Sequence, residues 1–152
     1  MFLRTLDLRE KGAGLKRPDL ARILSSQASV NFLPGPETLS ETEPIFERAR
    51  AIQVRVLGPE DESVFWTLTN LARVYREEGK KADALPLYRQ AVQSAEKNLA
   101  KDDSKTAYSR LEFIVREYAG LLQEVGREAE AARMRARADQ VRGRTAAQNE
   151  TN

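Results

Sequence analysis

The chain lacks the residues on which most enzyme and metal chemistry depends. Its 152 residues include no cysteine and no histidine, which excludes disulfides and thiolate nucleophiles, the commonest general base and the commonest transition-metal ligand. No stretch approaches the ~18 consecutive apolar residues of a membrane span, and the first residues do not form a secretory signal. We therefore predict a cytoplasmic protein that is not an enzyme and that needs no cofactor, metal or membrane.

Neither composition nor charge points to a specialised class of protein. Apolar residues make up 41% of the chain and charged residues 32%, with a net charge of +2. These values are typical of a folded domain and are not those of a disordered chain. The length predicts a single domain, and so small a net charge does not by itself indicate a nucleic-acid partner.

The sequence repeats itself at intervals of 42 to 47 residues. The segment LTNLARVYREEG (68–79) matches LSSQASVNFLPG (24–35). Downstream, PLYRQAVQS (86–94) matches PIFERARAI (44–52), which pairs Tyr88 with Phe46 and Ala91 with Ala49. Self-similarity at such a period is the sequence signature of a repeat architecture.

A third copy follows the same pattern. EYAGLLQEVGREAEAARMRARA (117–138) matches NLARVYREEGKKADALPLYRQA (70–91). The match pairs Gly126 with Gly79 and places alanines in register, while Arg135 takes the position of Tyr88. The chain therefore contains three related units.

Each unit is predicted to form two helices. In the middle unit, apolar residues recur at helical spacing from residue 63 to about 78, Asp61 or Ser63 can cap the start, and Gly79 is suited to end the helix. The second helix is predicted over about 81–99. Its alanines, Ala82, Ala84 and Ala91, would allow close approach of the paired helix, with the ring of Tyr88 filling the space beside them.

Prolines and acidic residues mark the helix starts in this interpretation. Pro44 and Pro86 are expected in the first turn of their helices, where a missing N–H costs little. Residues 40–43, Ser-Glu-Thr-Glu, form a capping box, and residues 102–104 begin the third unit. The acid pairs Asp61/Glu62, Glu77/Glu78 and Asp102/Asp103 could in principle do acid–base chemistry, but helix starts and an exposed turn explain them better.

The segment ESVFWTLTNLARVYREEGKKADALPLYRQAVQSAEKNL (62–99) resembles a tetratricopeptide repeat (TPR) of the longer kind found in kinesin light chains and many bacterial proteins. The resemblance implies an all-α fold, an α-solenoid of stacked antiparallel helix pairs. It predicts a repeat domain over 1–143, with a half-repeat helix at 1–14, repeats at about 16–57, 61–100 and 103–142, and a disordered tail at 144–152. The half-repeat is consistent with a capping helix or with a piece of a longer array, and the polar last helix suits a terminal cap.

The resemblance also implies that first helices line a concave surface on which a peptide or protein segment binds. The residues projected onto this surface are Arg22, Ser25, Ser29, Trp66, Thr69, Asn70, Arg73, Arg76, Phe113, Arg116 and Glu117. Within the middle unit, four of them fall at steps of three and four, as one helical stripe. The expected partner is acidic, with an apolar anchor, because arginines pair with carboxylates; for Trp66, packing into the adjacent hairpin is the alternative.

Other functions stay open at this point. A nucleic-acid-associated protein could use the Arg-rich stretch 133–144, although acidic neighbours and the absence of a nucleic-acid motif disfavour it. The chain could be a regulatory fragment of a larger protein, and self-association through its N-terminal face is compatible with peptide binding. The partner itself is not identified by the sequence.

Overall fold

Five consecutive helices form the part of the chain that the structure describes. The computed structural model covers residues 36–150 and places side chains for residues 42–147. The helices are α1 (Pro36–Leu57), α2 (Glu62–Glu77), α3 (Lys81–Lys101), α4 (Lys105–Glu124) and α5 (Glu128–Glu150). These residues contain no strand, and the predicted all-α fold is confirmed.

Each helix packs against the next one along the chain. The pairs α1–α2, α2–α3, α3–α4 and α4–α5 are all in contact, and turns of a few residues join the members of each pair. Such short connections make neighbouring helices antiparallel. Helices α2 and α4 are the first helices of two successive repeats, and α3 and α5 are the second helices.

Capping side chains start these helices, and glycines end them, where the sequence predicts. The Asp61 carboxylate accepts a hydrogen bond from the Ser63 backbone N–H at 2.9 Å, and the Ser104 hydroxyl accepts one from Ala107 at 3.2 Å. Gly79 and Gly126 have φ angles of 77° and 76°, in the left-handed region that favours glycine. Because the two glycines occupy equivalent places in their repeats, both hairpins turn in the same way.

The repeat is also visible in the core. Ala84, Tyr88 and Ala91 are completely buried, which confirms that small and aromatic side chains alternate where α3 crosses its neighbours. The equivalent residues of the other two repeats, Phe46, Ala49, Ala131 and Ala138, are also 0% exposed. Ala82 is exposed, so its predicted part in the crossing is wrong, since it lies on the solvent side of the first turn of α3.

Two helix boundaries differ from the prediction. Helix α1 already includes residues 36–43; Ser40 therefore lies inside the helix, and the proposed capping box is wrong, as is the placement of Pro44 in the first turn. Helix α5 continues to Glu150 through most of the predicted disordered tail, because Ala146 and Ala147 favour helix. The predicted half-repeat at 1–14 and the first helix of the first repeat lie outside the described residues.

Candidate functional site

Two aromatic side chains lie exposed where α2 and α4 run side by side. Trp66 is 38% exposed and Phe113 is 37% exposed, and their ring centroids are 6.2 Å apart with an interplanar angle of 41°. The Trp66 ring also packs against the buried Phe65 ring, with centroids 4.9 Å apart and planes inclined by 75°. The pair therefore presents one continuous apolar surface that bridges two repeats.

Charged groups hold this aromatic pair in place from one side. Glu62 accepts a hydrogen bond from the Trp66 indole N–H at 3.4 Å and forms an ion pair with Arg110 of α4. The Arg110 guanidinium lies 5.7 Å from the centre of the Phe65 ring, within the range of a cation–π contact. Glu62 thus connects the indole of one repeat to the arginine of the next.

A second set of ion pairs continues along the same two helices. Glu117 of α4 lies 3.9 Å from Arg73 and 3.8 Å from Arg76 of α2. Arg76 also donates to Glu124 through Nε at 2.9 Å, and Lys81 approaches the same carboxylate at 3.2 Å. Hydrogen bonds from Arg76 lower the pKa of Glu124, so the acid stays ionised and the pairing persists at neutral pH.

Two tyrosines connect these charges to the core. The Tyr88 hydroxyl donates to Glu117 at 3.4 Å, and burial raises the pKa of Tyr88 above its usual value. At the same end of α2, next to Arg76, the Tyr75 hydroxyl donates to Glu47 of α1 at 3.1 Å. Burial, followed by this contact with Glu47, raises the pKa of Tyr75 to about 12.

The contacts between α2 and α4, from Trp66 and Phe113 to Arg76 and Glu124, form a strip along the two helices. Most of the predicted surface residues in the described part of the chain lie along this strip. Trp66 and Phe113 are in ring contact, and Arg73 and Arg76 face Glu117. Arg116 lies next to Glu117 on α4 and pairs with Glu112 at 3.1 Å and with Asp139 of α5 at 3.3 Å. Asn70, on α2 between Trp66 and Arg73, is half-buried.

Thr69 departs from the prediction. It is 1% exposed, and its hydroxyl donates to the Phe65 carbonyl of its own helix at 2.9 Å. The side chain therefore cannot line an accessible surface. The remaining predicted residues, Arg22, Ser25 and Ser29, lie outside the described part of the chain.

Sequence reasoning missed the carboxylates that complete the strip. Glu62, Glu112 and Glu124 all pair with its arginines. Only the spacing of Glu112 and Arg116, four residues apart on one helix, is a local signal for such a pair. The others connect residues 48 positions apart and depend on how two repeats align.

The acidic residues suggest no chemistry beyond helix capping and ion pairing. Asp61 caps α2, and Asp102 accepts a hydrogen bond from the Ser104 hydroxyl at 2.9 Å. Across residues 36–150, no group of three acidic side chains could hold a metal ion. The same residues contain no helix that is long and apolar enough to cross a membrane.

The Arg-rich last helix has acidic and amide partners. Arg137 lies 3.4 Å from Glu96, and Arg142 lies 3.2 Å from Asp139, while Arg135 donates to the Gln123 side chain. These contacts reduce the positive charge that α5 can offer to a polyanion.

Comparison with known proteins identifies the repeat. Residues 39–97 match a family model described as tetratricopeptide repeat. A solved structure of kinesin light chain TPR-like repeats from Podosopora anserina is similar with a TM-score of 0.61 and 24% identity, over 92% of this chain and 57% of that one. A substituted variant of that protein gives a TM-score of 0.61 and 23% identity, with the same coverage of 92% and 57%.

A further solved structure shares the fold at lower identity. BtubC (BKLC) from P. vanneervenii is similar with a TM-score of 0.51 and 16% identity, over 97% of this chain and 72% of that one. Among curated proteins, none matches the chain significantly. The predicted resemblance is confirmed, and the chain spans 57% of the length of the Podosopora structures.

Proposed function

We propose that the protein is a non-catalytic module that binds a peptide or protein segment on the face shared by α2 and α4, as stacked tetratricopeptide repeats would allow. Repeats of this family generally mediate contacts between proteins. The observation that carries the proposal is the exposed pair Trp66 and Phe113, 6.2 Å apart and contributed by two different repeats. Among the residues with described side chains, the only other large apolar side chain exposed to this degree is Val54.

The aromatic pair suits an apolar anchor on the ligand. Large aromatic side chains present a wide, rigid contact area and are enriched among the residues that dominate binding energy. A ligand side chain placed over Trp66 and Phe113 would remove apolar surface of both repeats from water. The anchor would then fix the position of the bound segment along the strip.

The arginines beside the pair favour acidic residues on the same ligand. Arg73 and Arg116 have side chains that are 42% and 47% exposed, and both already face carboxylates of this chain. Exposed pairs of this kind contribute only about 0–1 kcal/mol each. A ligand carboxylate can therefore replace Glu117 or Asp139 as the partner of an arginine at little cost, and the proposed partner is an acidic segment with an apolar anchor.

Capture experiments with matched variants test this function. Wild-type protein and the double variant Trp66→Ala/Arg73→Glu are used as baits in lysate of the source cell, and bound proteins are quantified by mass spectrometry. Loss of a central aromatic typically costs about 2 kcal/mol or more, roughly a thirtyfold loss of affinity. We expect partners of the wild type to be lost from the variant.

The control is Arg133→Glu, which reverses an exposed charge on α5 that takes part in none of the contacts described for the strip. This variant should retain the wild-type partners, and circular dichroism should show unchanged helix content in every bait. If the double variant captures the same proteins as the wild type, the proposed face is wrong. A further double variant, Arg73→Glu/Arg116→Glu, reverses the charge and leaves both rings in place. If it captures the same partners as the wild type while Trp66→Ala/Arg73→Glu does not, the apolar anchor stands and the acidic character of the ligand is refuted.

We also propose that the protein works in the cytoplasm, as the sequence predicts, and that any self-association leaves the α2–α4 face free. A mass measured by analytical ultracentrifugation with and without a captured partner tests the second point. Competition between self-association and the partner would refute it.

A further inference from the structure

A second groove lies on the other side of α2 from the aromatic pair. It runs between α1 and α3 and has a volume of about 570 Å³. Val64 and Leu68 of α2 line it, whereas Trp66 lies two residues from each and so points to the opposite side of the helix. The groove is therefore separate from the face proposed above.

The floor of this groove is apolar and its centre is exposed. Ala51 and Val54 of α1 line it together with Val64 and Leu68, and Val54 is 40% exposed. In the described part of the chain, Val54 is the most exposed of the large apolar side chains. Covering it would remove apolar surface from water, which is favourable.

The next repeat provides an internal comparison for this groove. Val54 corresponds to Glu96 at the spacing of 42 residues, and Gln90 corresponds to Arg137 at the spacing of 47. Between α3 and α5, Arg137 and Glu96 approach to 3.4 Å and bridge the gap between the helices. Between α1 and α3, valine and glutamine occupy the same two positions, which therefore cannot form the ion pair that Glu96 and Arg137 make.

A buried hydroxyl also lies at the edge of the groove. Ser94 of α3 lines it and is 4% exposed. Its Oγ atom has no hydrogen-bond partner among the described residues. Since buried polar groups are nearly always hydrogen-bonded, this hydroxyl is a place where a bound segment could supply the missing partner.

The rim of the groove is basic. Arg50, Arg55 and Lys97 line it, against one acid, Glu60. Glu60 already lies 3.1 Å from Lys97 and pairs with Lys101, and these contacts lower the pKa of its carboxyl. Arg50 lies 3.5 Å from Glu47 of its own helix. Positive charge is therefore in excess around the apolar floor.

We propose that the groove between α1 and α3 is a second docking site, which takes an acidic segment of another protein and buries one apolar side chain of that segment against Val54 and Leu68. The charge of the rim selects the acidic segment, and the apolar floor supplies most of the affinity. A protein with both faces occupied would hold two partners on opposite sides of α2.

A transplant from the next repeat tests the site. The closing variant Val54→Glu/Gln90→Arg installs the residues found at 96 and 137. The probe is a short fluorescent peptide in which leucine alternates with glutamate, and binding is followed by fluorescence anisotropy and by NMR of methyl-labelled valine and leucine. We expect the peptide to shift the Val54, Val64 and Leu68 methyl signals and to bind about tenfold or more weakly to the closing variant.

Matched controls make every outcome decisive. Because the aromatic face is itself proposed to take an acidic segment, affinity for the groove is taken from the Val64 and Leu68 methyl shifts alone. The control Arg133→Glu, an exposed position outside both faces, should leave these shifts unchanged, and a leucine–lysine peptide should produce them at least about tenfold more weakly than the acidic one. Equal binding by the closing variant, or equal binding of the basic peptide, would overturn the proposal. So would Val54 shifts that depend on protein concentration in the absence of peptide, since the groove would then be a contact between copies of this chain.

Discussion

The repeat makes it possible to test the same position in a buried and in an exposed setting. Tyr88 in α3 and Arg135 in α5 are equivalent in the alignment, yet Tyr88 is 0% exposed and Arg135 is exposed. The Tyr88 ring stacks on Tyr118 with centroids 6.4 Å apart and planes inclined by 24°. We predict that Tyr88→Ala destabilises the protein strongly, whereas Arg135→Ala has almost no effect.

The size of the effect follows from burial. Truncating a buried aromatic to alanine costs about 3–5 kcal/mol, a large part of the roughly 5–15 kcal/mol that stabilises a domain. An exposed side chain such as Arg135 should change the free energy of unfolding by no more than about 0.5 kcal/mol. Tyr88→Phe should lower the free energy of unfolding by about 1 kcal/mol or less. It removes only a hydrogen bond of 3.4 Å to Glu117, and that carboxylate keeps Arg73 and Arg76 as partners.

Urea unfolding followed by circular dichroism measures these differences. With a urea dependence of about 2 kcal/mol per molar, a loss of 4 kcal/mol lowers the midpoint by roughly 2 M. The reasoning would be refuted if Tyr88→Ala and Arg135→Ala shifted the midpoint equally. A loss in Tyr88→Phe as large as that in Tyr88→Ala would instead assign the stability to the hydroxyl.

Two further predictions concern backbone conformation and pH. Gly79→Ala should lower the free energy of unfolding by roughly 1 kcal/mol, because its φ is 77° and nothing lies within 4 Å of an added Cβ, so the cost is backbone strain alone. Gly143→Ala, inside α5 and with the same free space around an added Cβ, should raise the free energy of unfolding by up to about 1 kcal/mol. Thermal unfolding that gave both substitutions the same sign would contradict this account. The raised pKa of Tyr75, about 12 against 10.0, means that the folded state favours the protonated hydroxyl, so this contribution to stability is complete below pH 10 and is lost as the pH rises towards about 12. Tyr75→Phe should reduce the fall in urea midpoint across that range, and an unchanged alkaline profile would show that Tyr75 is not responsible.

The sequence was sufficient for features that are local or that repeat. Gly79, Asp61 and the buried alanines could be predicted because caps, left-handed glycines and small residues at a crossing are recognisable within a single helix. The start of α1 was misplaced because residues 40–43 resemble a capping box, whereas the structure shows them already inside the helix.

Residues that meet across repeats were harder to predict. The helical spacing on α2 grouped Trp66 with Thr69, Arg73 and Arg76, but it could not show that Thr69 is buried while Trp66 stays exposed. The partners of Arg76 lie on α4, so they depend on how α2 and α4 align, and α3 separates these two helices in the sequence. The groove between α1 and α3 had no sequence signal at all, because it arises from the gap between two second helices.

The central position of α3 has a mechanical consequence. This helix packs against both α2 and α4, while Trp66 and Phe113 join those two helices on the far side of it. A segment clamped across both rings would resist the two hairpins splaying apart, and so would make neighbouring repeats melt together as one unit. Binding at the aromatic pair would then be detected as a narrower thermal unfolding transition, without knowledge of which part of the ligand makes the contact.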